Sequence, residues 1–157
     1  MRRVLALAGL LLLACNAPFE QAGQESTLVE PTDVFIVHVE SAVVSERTPF
    51  GSLWDPDGSP PDVSVTLECP PNQTRVSTQA VESLMPTWSG GLCTINARIL
   101  LHDGLSFWVE DMDAVLSDVI TPRVHVVPQD IELVKGEVVV KDVQALQRIT
   151  LRFLRRD

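Results

Sequence analysis

Leu105-Ser106-Phe107-Trp108-Val109-Glu110-Asp111-Met112-Asp113-Ala114-Val115-Leu116-Ser117-Asp118 is the stretch whose reading decides the fold. Leu105, Phe107 and Val109 recur at every second residue, the period of a strand with one buried face. Beyond Val109 the alternation stops and three aspartates gather, Asp111, Asp113 and Asp118. Asp111 and Asp113 are two apart at the strand's end, so they share a face. Asp118 can fold back from the far side of the loop. A second acid loop lies upstream, in Trp54-Asp55-Pro56-Asp57-Gly58-Ser59-Pro60-Pro61-Asp62. Pro56 and Gly58 favour a tight bend, and Asp62 opens the next strand. Convergent carboxylates repel one another at neutral pH unless a cation intervenes. Calcium takes six to eight oxygen ligands and favours carboxylates on flexible loops. Taken singly, either acid loop reads first as a solvated rim.

Outward from these loops, strand signals recur with turn residues between them. Phe35, Val37 and Val39 alternate, as do Val63, Val65 and Leu67. Gln73 to Gln79 is a shorter polar strand. Ile95, Ala97 and Ile99 alternate, and Val124 to Val127, Glu137 to Val140 and Ile149 to Phe153 complete the set of eight. Helical periodicity is weak, confined to a turn or two at Thr78–Leu84 and Asp142–Gln147. This pattern predicts an all-β fold, an eight-stranded antiparallel β-sandwich.

The chain has 157 residues, enough for one domain with a short extension. A formal charge of −9 argues against nucleic acid, which wants a basic face. It leaves anionic membranes open, because bound calcium reverses the local sign. Arg2 and Arg3 precede an apolar run from Val4 to Leu13, too short to span a bilayer. Leu12-Leu13-Ala14-Cys15 then resembles the lipobox of bacterial lipoproteins. That resemblance implies a signal peptide over residues 1–14 and an acylated, palmitate-type anchor on Cys15. Asn16 stands where aspartate would signal inner-membrane retention, which points to the outer membrane of the cell envelope. Residues 15–32 read as a flexible tether and 33–157 as the domain. Cys69 and Cys93 form an even pair in an exported chain and are a disulfide candidate, with two buried thiols as the alternative.

Several features agree in order with one known family. Phe35-Ile36-Val37-His38-Val39-Glu40-Ser41-Ala42 looks like its opening strand, and Asp55 to Asp62 like its first calcium loop. Leu84-Met85-Pro86-Thr87-Trp88 looks like its turn before the fourth strand. Leu105 to Asp113 looks like the strand entering its third loop, and Ile149 to Phe153 like the closing strand. The ordered set, over residues 33 to 155, resembles the C2 domain, a calcium-dependent phospholipid-binding module. The resemblance implies calcium held by Asp55, Asp62, Asp111, Asp113 and Asp118, with Asp57 a sixth candidate. It also implies membrane contact through loop tips at Met112, Val115 and Leu116. Trp54 flanks the first loop and faces either the tip or the core. The first loop is one residue longer than the family's, Val63 replaces its usual proline, and the third loop is about one residue shorter. The lysine-rich face that some members use for phosphoinositides is absent, with only Arg75 and Arg98 in that region.

An EF-hand is excluded. Asp55-Pro56-Asp57-Gly58 mimics the middle of its loop, but Leu53 and Ser64 then occupy the two end-ligand positions. His38, His102 and His125 are dispersed, and Trp88 and Trp108 read as core anchors. No nucleophile or acid–base signature stands out, so an enzyme is not expected. The expected function is an exported, lipid-anchored calcium module that engages a membrane or an envelope partner. The alternatives are a calcium-independent protein-binding sandwich and an accessory subunit of an envelope complex.

Overall fold

In the computed structural model, which describes residues 28–89, 92–113 and 117–156, the chain forms two antiparallel sheets. The first runs in the order β5 (Cys93–Asn96), β1 (Val34–Val44), β9 (Leu146–Arg156) and β8 (Glu137–Val143). The second runs β3 (Thr74–Ser77), β2 (Asp62–Cys69), β6 (Leu105–Asp111) and β7 (Asp118–Val126), with β4 (Val81–Glu82) also paired to β2. Their inner faces share one core, in which Phe35, Phe107, Phe153, Leu67, Leu151 and Ile149 are fully buried or nearly so.

β1 shows how the pleat and its irregularities set that core. Phe35, Val37 and Val39 point inward, and then Ala42 and Val44 do so. The inward parity changes because the register against β9 shifts between Val39 and Ser41. A bulge inserts one residue and turns the following side chains over.

The sandwich has nine strands among the described residues, where the sequence predicts eight. The extra strand is β4, part of the stretch expected to turn helically. It pairs Val81 with Val63 and Glu82 with Asp62. The expected helical turn over Asp142–Gln147 is a tight reversal between β8 and β9, with Asp142 and Gln144 at positive φ. The run Ile95 to Ile99 also departs from expectation. β5 ends at Asn96, and α1 (Ala97–Asp103) follows, burying Ala97 and Leu100. These two are three apart, which is helical spacing, and Gly104 at φ 63 closes the helix. α2 (Asp130–Lys135) was not expected. A capping box joins Gln129 and Glu132, and Gly136 ends it in the left-handed region.

Register fixes two poles. Val44 pairs with Leu146 at one and Val34 with Arg156 at the other. β2 begins, β6 ends and β7 begins at the first pole. The chain joins the fold at the second, where Arg155 pairs with Asp33 at 2.7 Å. Cys69 and Cys93 are joined as a disulfide, Cα–Cα 6.1 Å, tying β2 of one sheet to β5 of the other. Closing a loop of this length is worth about 3 kcal/mol. The signal peptide, Cys15, Val115 and Leu116 lie outside the described residues.

Candidate functional site: an acid pole

Both acid loops reach the same pole, stitched by the backbone. The Asp62 N–H donates to Asp111 Oδ1 at 2.7 Å, and the Met112 N–H donates to the Asp62 carbonyl at 2.9 Å. Asp118 is the cross-strand partner of Asp111. Asp111 is 0% exposed, and its Oδ2 has no partner among the described residues. A buried carboxylate without a counter-charge is expensive. Burial pushes the Asp111 carboxyl up to about 6; the Asp62 N–H opposes this, and the charges of Asp113, Asp55 and Asp62 add to it. Asp113 is also raised, first by loss of solvent and then by repulsion from Asp55, Asp118 and Asp62. Asp55, Asp62, Asp111, Asp113 and Asp118 therefore form one electrostatic group. Among the described residues no lysine or arginine pairs with any of them.

The group is gathered but not closed. Among the described residues no three His, Cys, Asp or Glu side chains stand in position to hold one ion. Asp57 differs from the five. Its Oδ1 accepts from the Ser59 N–H at 3.0 Å and from the Ser59 hydroxyl at 2.7 Å. These bonds hold its carboxyl below the usual range, the backbone bond contributing most. Asp57 thus builds the bend around Gly58, at φ 83, and the Ser59 hydroxyl also reaches Asp55 Oδ2 at 3.2 Å.

One acid was missed. Glu82 stands opposite Asp62 in the β2–β4 register and lines a cavity of about 370 Å³ with Asp55, Asp57, Ser59 and Asp62. Only the pairing of β4 brings it there, and a two-residue strand has no sequence period to reveal it.

Apolar side chains flank the acids. Met112 is 43% exposed, as the loop-tip reading expects, and Leu53 is 50% exposed. Phe50, not singled out in the sequence, is 95% exposed. It tips a turn in which the Gly51 N–H donates to the Thr48 carbonyl and Arg47 Nη1 to the Gly51 carbonyl, both at 2.9 Å. Pro49 at the second turn position and Gly51 at the fourth were the available signal. Trp54 packs inward and donates from Nε1 to the Ser45 carbonyl at 2.8 Å. Trp108 corrects the core-anchor reading: it is half-buried on the outer face of its sheet, with Arg75 over its ring.

No protein-family model matches the sequence, and no curated protein matches it. Solved structures do. The first of the lettered C2 domains, domain A, of plant extended synaptotagmin 1 aligns over 82% of this chain and 98% of its own length, with TM-score 0.51 and 15% identity. A structure of extended synaptotagmin 2, holding its SMP domain and C2 domains A and B, aligns over 82% of this chain and 28% of its own, with TM-score 0.52 and 15% identity. C2 domains A and B of extended synaptotagmin 2 align over 98% of this chain and 50% of theirs, with TM-score 0.51 and 14% identity. The chain thus spans only a quarter to a half of these last two. At such identities the likeness is one of fold, and the fold is a C2-like sandwich.

Proposed function

We propose that this protein is an exported, lipid-anchored C2-like module that binds calcium at its acid pole and there engages a lipid surface, without catalysis. The observation that carries this reading is Asp111, fully buried, with one oxygen unpartnered and its group of aspartates without a counter-charge among the described residues. Such a donor set fits a hard cation that prefers carboxylates. Asp55, Asp62, Asp111, Asp113 and Asp118 would hold the ion, which would supply positive charge to a pole otherwise repelled by anionic headgroups. Phe50, Leu53 and Met112 would meet the apolar layer beneath those headgroups.

The lipid anchor on Cys15 and a place in the bacterial cell envelope, at the outer membrane, rest on the lipobox-like run. The chain joins the sandwich at the pole opposite the acids. The flexible tether expected over residues 15–32 leaves the acid pole free to meet either the anchoring membrane or a second surface. Cys15→Ser should release the protein from the membrane fraction, and unchanged fractionation counts against the anchor.

Sedimentation of the unacylated Cys15→Ser protein with phosphatidylserine-containing vesicles tests the pole separately from the anchor. Calcium should carry the protein into the vesicle pellet, and EDTA, Phe50→Ser or Asp111→Asn with Asp113→Asn should each leave it in solution. One observation favours the rival, a calcium-independent protein-binding sandwich: the carboxylates as they stand do not close around an ion. Absence of any calcium effect on melting or sedimentation would decide for that rival.

A further inference from the structure

The outer face of the five-stranded sheet carries a second charged group, built on other principles. Glu68 of β2 is 4% exposed. One oxygen accepts from Arg75 Nε of β3 at 3.1 Å, and the other pairs with Arg123 Nη2 of β7. The two arginine side chains remain 65% and 55% exposed. A single buried carboxylate thus fixes two guanidiniums whose other N–H donors face water. Arg75 also lies 5.3 Å from the Trp108 ring centroid, and Trp108 Nε1 donates to Glu110 Oε2 at 2.9 Å. Between the two arginines lies a cavity of about 280 Å³, walled by Trp108, Val119 and Pro122 with Glu110 at its side.

We propose that this cavity binds a carboxylate carried on a compact apolar body. The carboxylate takes the free donors of Arg75 and Arg123, and the apolar body lies against Trp108, Val119 and Pro122. A guanidinium presents paired N–H donors that match a carboxylate. Glu68 and the Trp108 ring already hold the arginines, so binding orders little that is not ordered. Charge selects the ligand class. Glu68 and Glu110 balance the two arginines, so a phosphate dianion would bring twice the charge of a carboxylate to a patch with no surplus cation. The ligand can be a free carboxylic acid or the C-terminus of a peptide ending in an apolar residue. The site shares no residue with the acid pole and does not depend on calcium.

The test follows the Trp108 indole N–H resonance of the full chain in EDTA. The probes are 3-phenylpropanoate, N-acetyl-leucyl-leucine, N-acetyl-leucinamide and phenyl phosphate. The expected result is a saturable shift with one or both carboxylates and none with the amide. The free acid acting alone identifies a small-molecule site, and the blocked peptide acting alone identifies a C-terminus site. Arg75→Gln and Arg123→Gln should each weaken binding by about tenfold, the size of one lost charged hydrogen bond. Val119→Glu, which leaves the ion pairs of Glu68 intact, should abolish binding while melting stays unchanged. Asp111→Asn should bind as the parent does, which separates this site from the calcium reading. A response to the amide equal to that of the carboxylates, a stronger response to phenyl phosphate, or no response to any probe would overturn the proposal.

Discussion

Asp111 and Glu68 are buried carboxylates on neighbouring strands of one sheet, and the chain treats them oppositely. Glu68 is 4% exposed and has an arginine on each oxygen. Asp111 is 0% exposed and has, among the described residues, one backbone N–H, one unpartnered oxygen and three aspartates whose charges oppose its own. Burying a charge is tolerable where the fold supplies a counter-charge. Glu68 meets that condition within the chain, so its carboxylate is a finished scaffold. Among the described residues Asp111 finds none, which leaves a proton or a cation from outside to balance it. The contrast separates a carboxylate that shapes the protein from one that waits for a ligand.

Breaking the finished side should cost the most. Glu68→Gln leaves two guanidiniums facing a neutral amide. Breaking a fully buried pair costs about 3–5 kcal/mol, and half-exposed arginines reduce this to about 2–3 kcal/mol. Urea unfolding in EDTA would measure it. The calcium-induced rise in melting temperature should survive the substitution. If instead stability holds and the calcium response disappears, the two carboxylates are not independent and the contrast fails.

The next effect is a pH slope whose sign reports whether a cation is present. In the metal-free protein the folded Asp111 titrates near 6 instead of 3.8. Between those values the folded state binds the proton more tightly than the unfolded chain. Metal-free stability should therefore fall as pH rises from about 4 to 6, by roughly 2 kcal/mol from this group, and then level off. With calcium bound to the ionised form, proton and metal compete and stability should rise over the same window. Urea unfolding from pH 4 to 7, with EDTA or calcium, gives both slopes when the Asp111→Asn curve is subtracted. Equal slopes in the two conditions would mean that Asp111 meets no metal.

Much of this was legible in the sequence. The alternation at Phe35, Val63, Leu105 and Ile149 placed the long strands, because a half-buried strand must show its period. The five aspartates were legible as one group because their order along the chain resembles that of the calcium loops of C2 domains. What escaped has physical reasons. β4 has two residues and no period. In the 95–99 run, alternation and three-residue spacing both place Ala97 inside, and only the stop at Gly104 favours the helix. Trp108 looked like a core residue by type, but its neighbours Phe107 and Val109 hold the inward positions, so the pleat sends it outward. The burial of Glu68 and Asp111 could not be read at all, since it depends on strands far apart in the chain.

A final, near-silent substitution tests the boundary of the waiting group. Asp57 lies between Asp55 and Asp62 in the sequence, and its position alone made it a sixth candidate ligand. Its Oδ1 is instead engaged by the N–H and hydroxyl of Ser59, and its carboxyl is held below the usual range. It therefore belongs with Glu68, satisfied from within, although it lies on the surface beside the acids. An asparagine keeps the oxygen that closes the bend and removes only the charge. Asp57→Asn should leave melting temperature and calcium affinity unchanged within error, whereas Asp55→Asn should weaken calcium clearly. Isothermal titration of both variants, with Ser59→Ala as a third, makes the comparison. A large loss of affinity in Asp57→Asn would mean that calcium pulls Asp57 off Ser59, and the line between satisfied and waiting carboxylates would then have to be drawn on the other side of it.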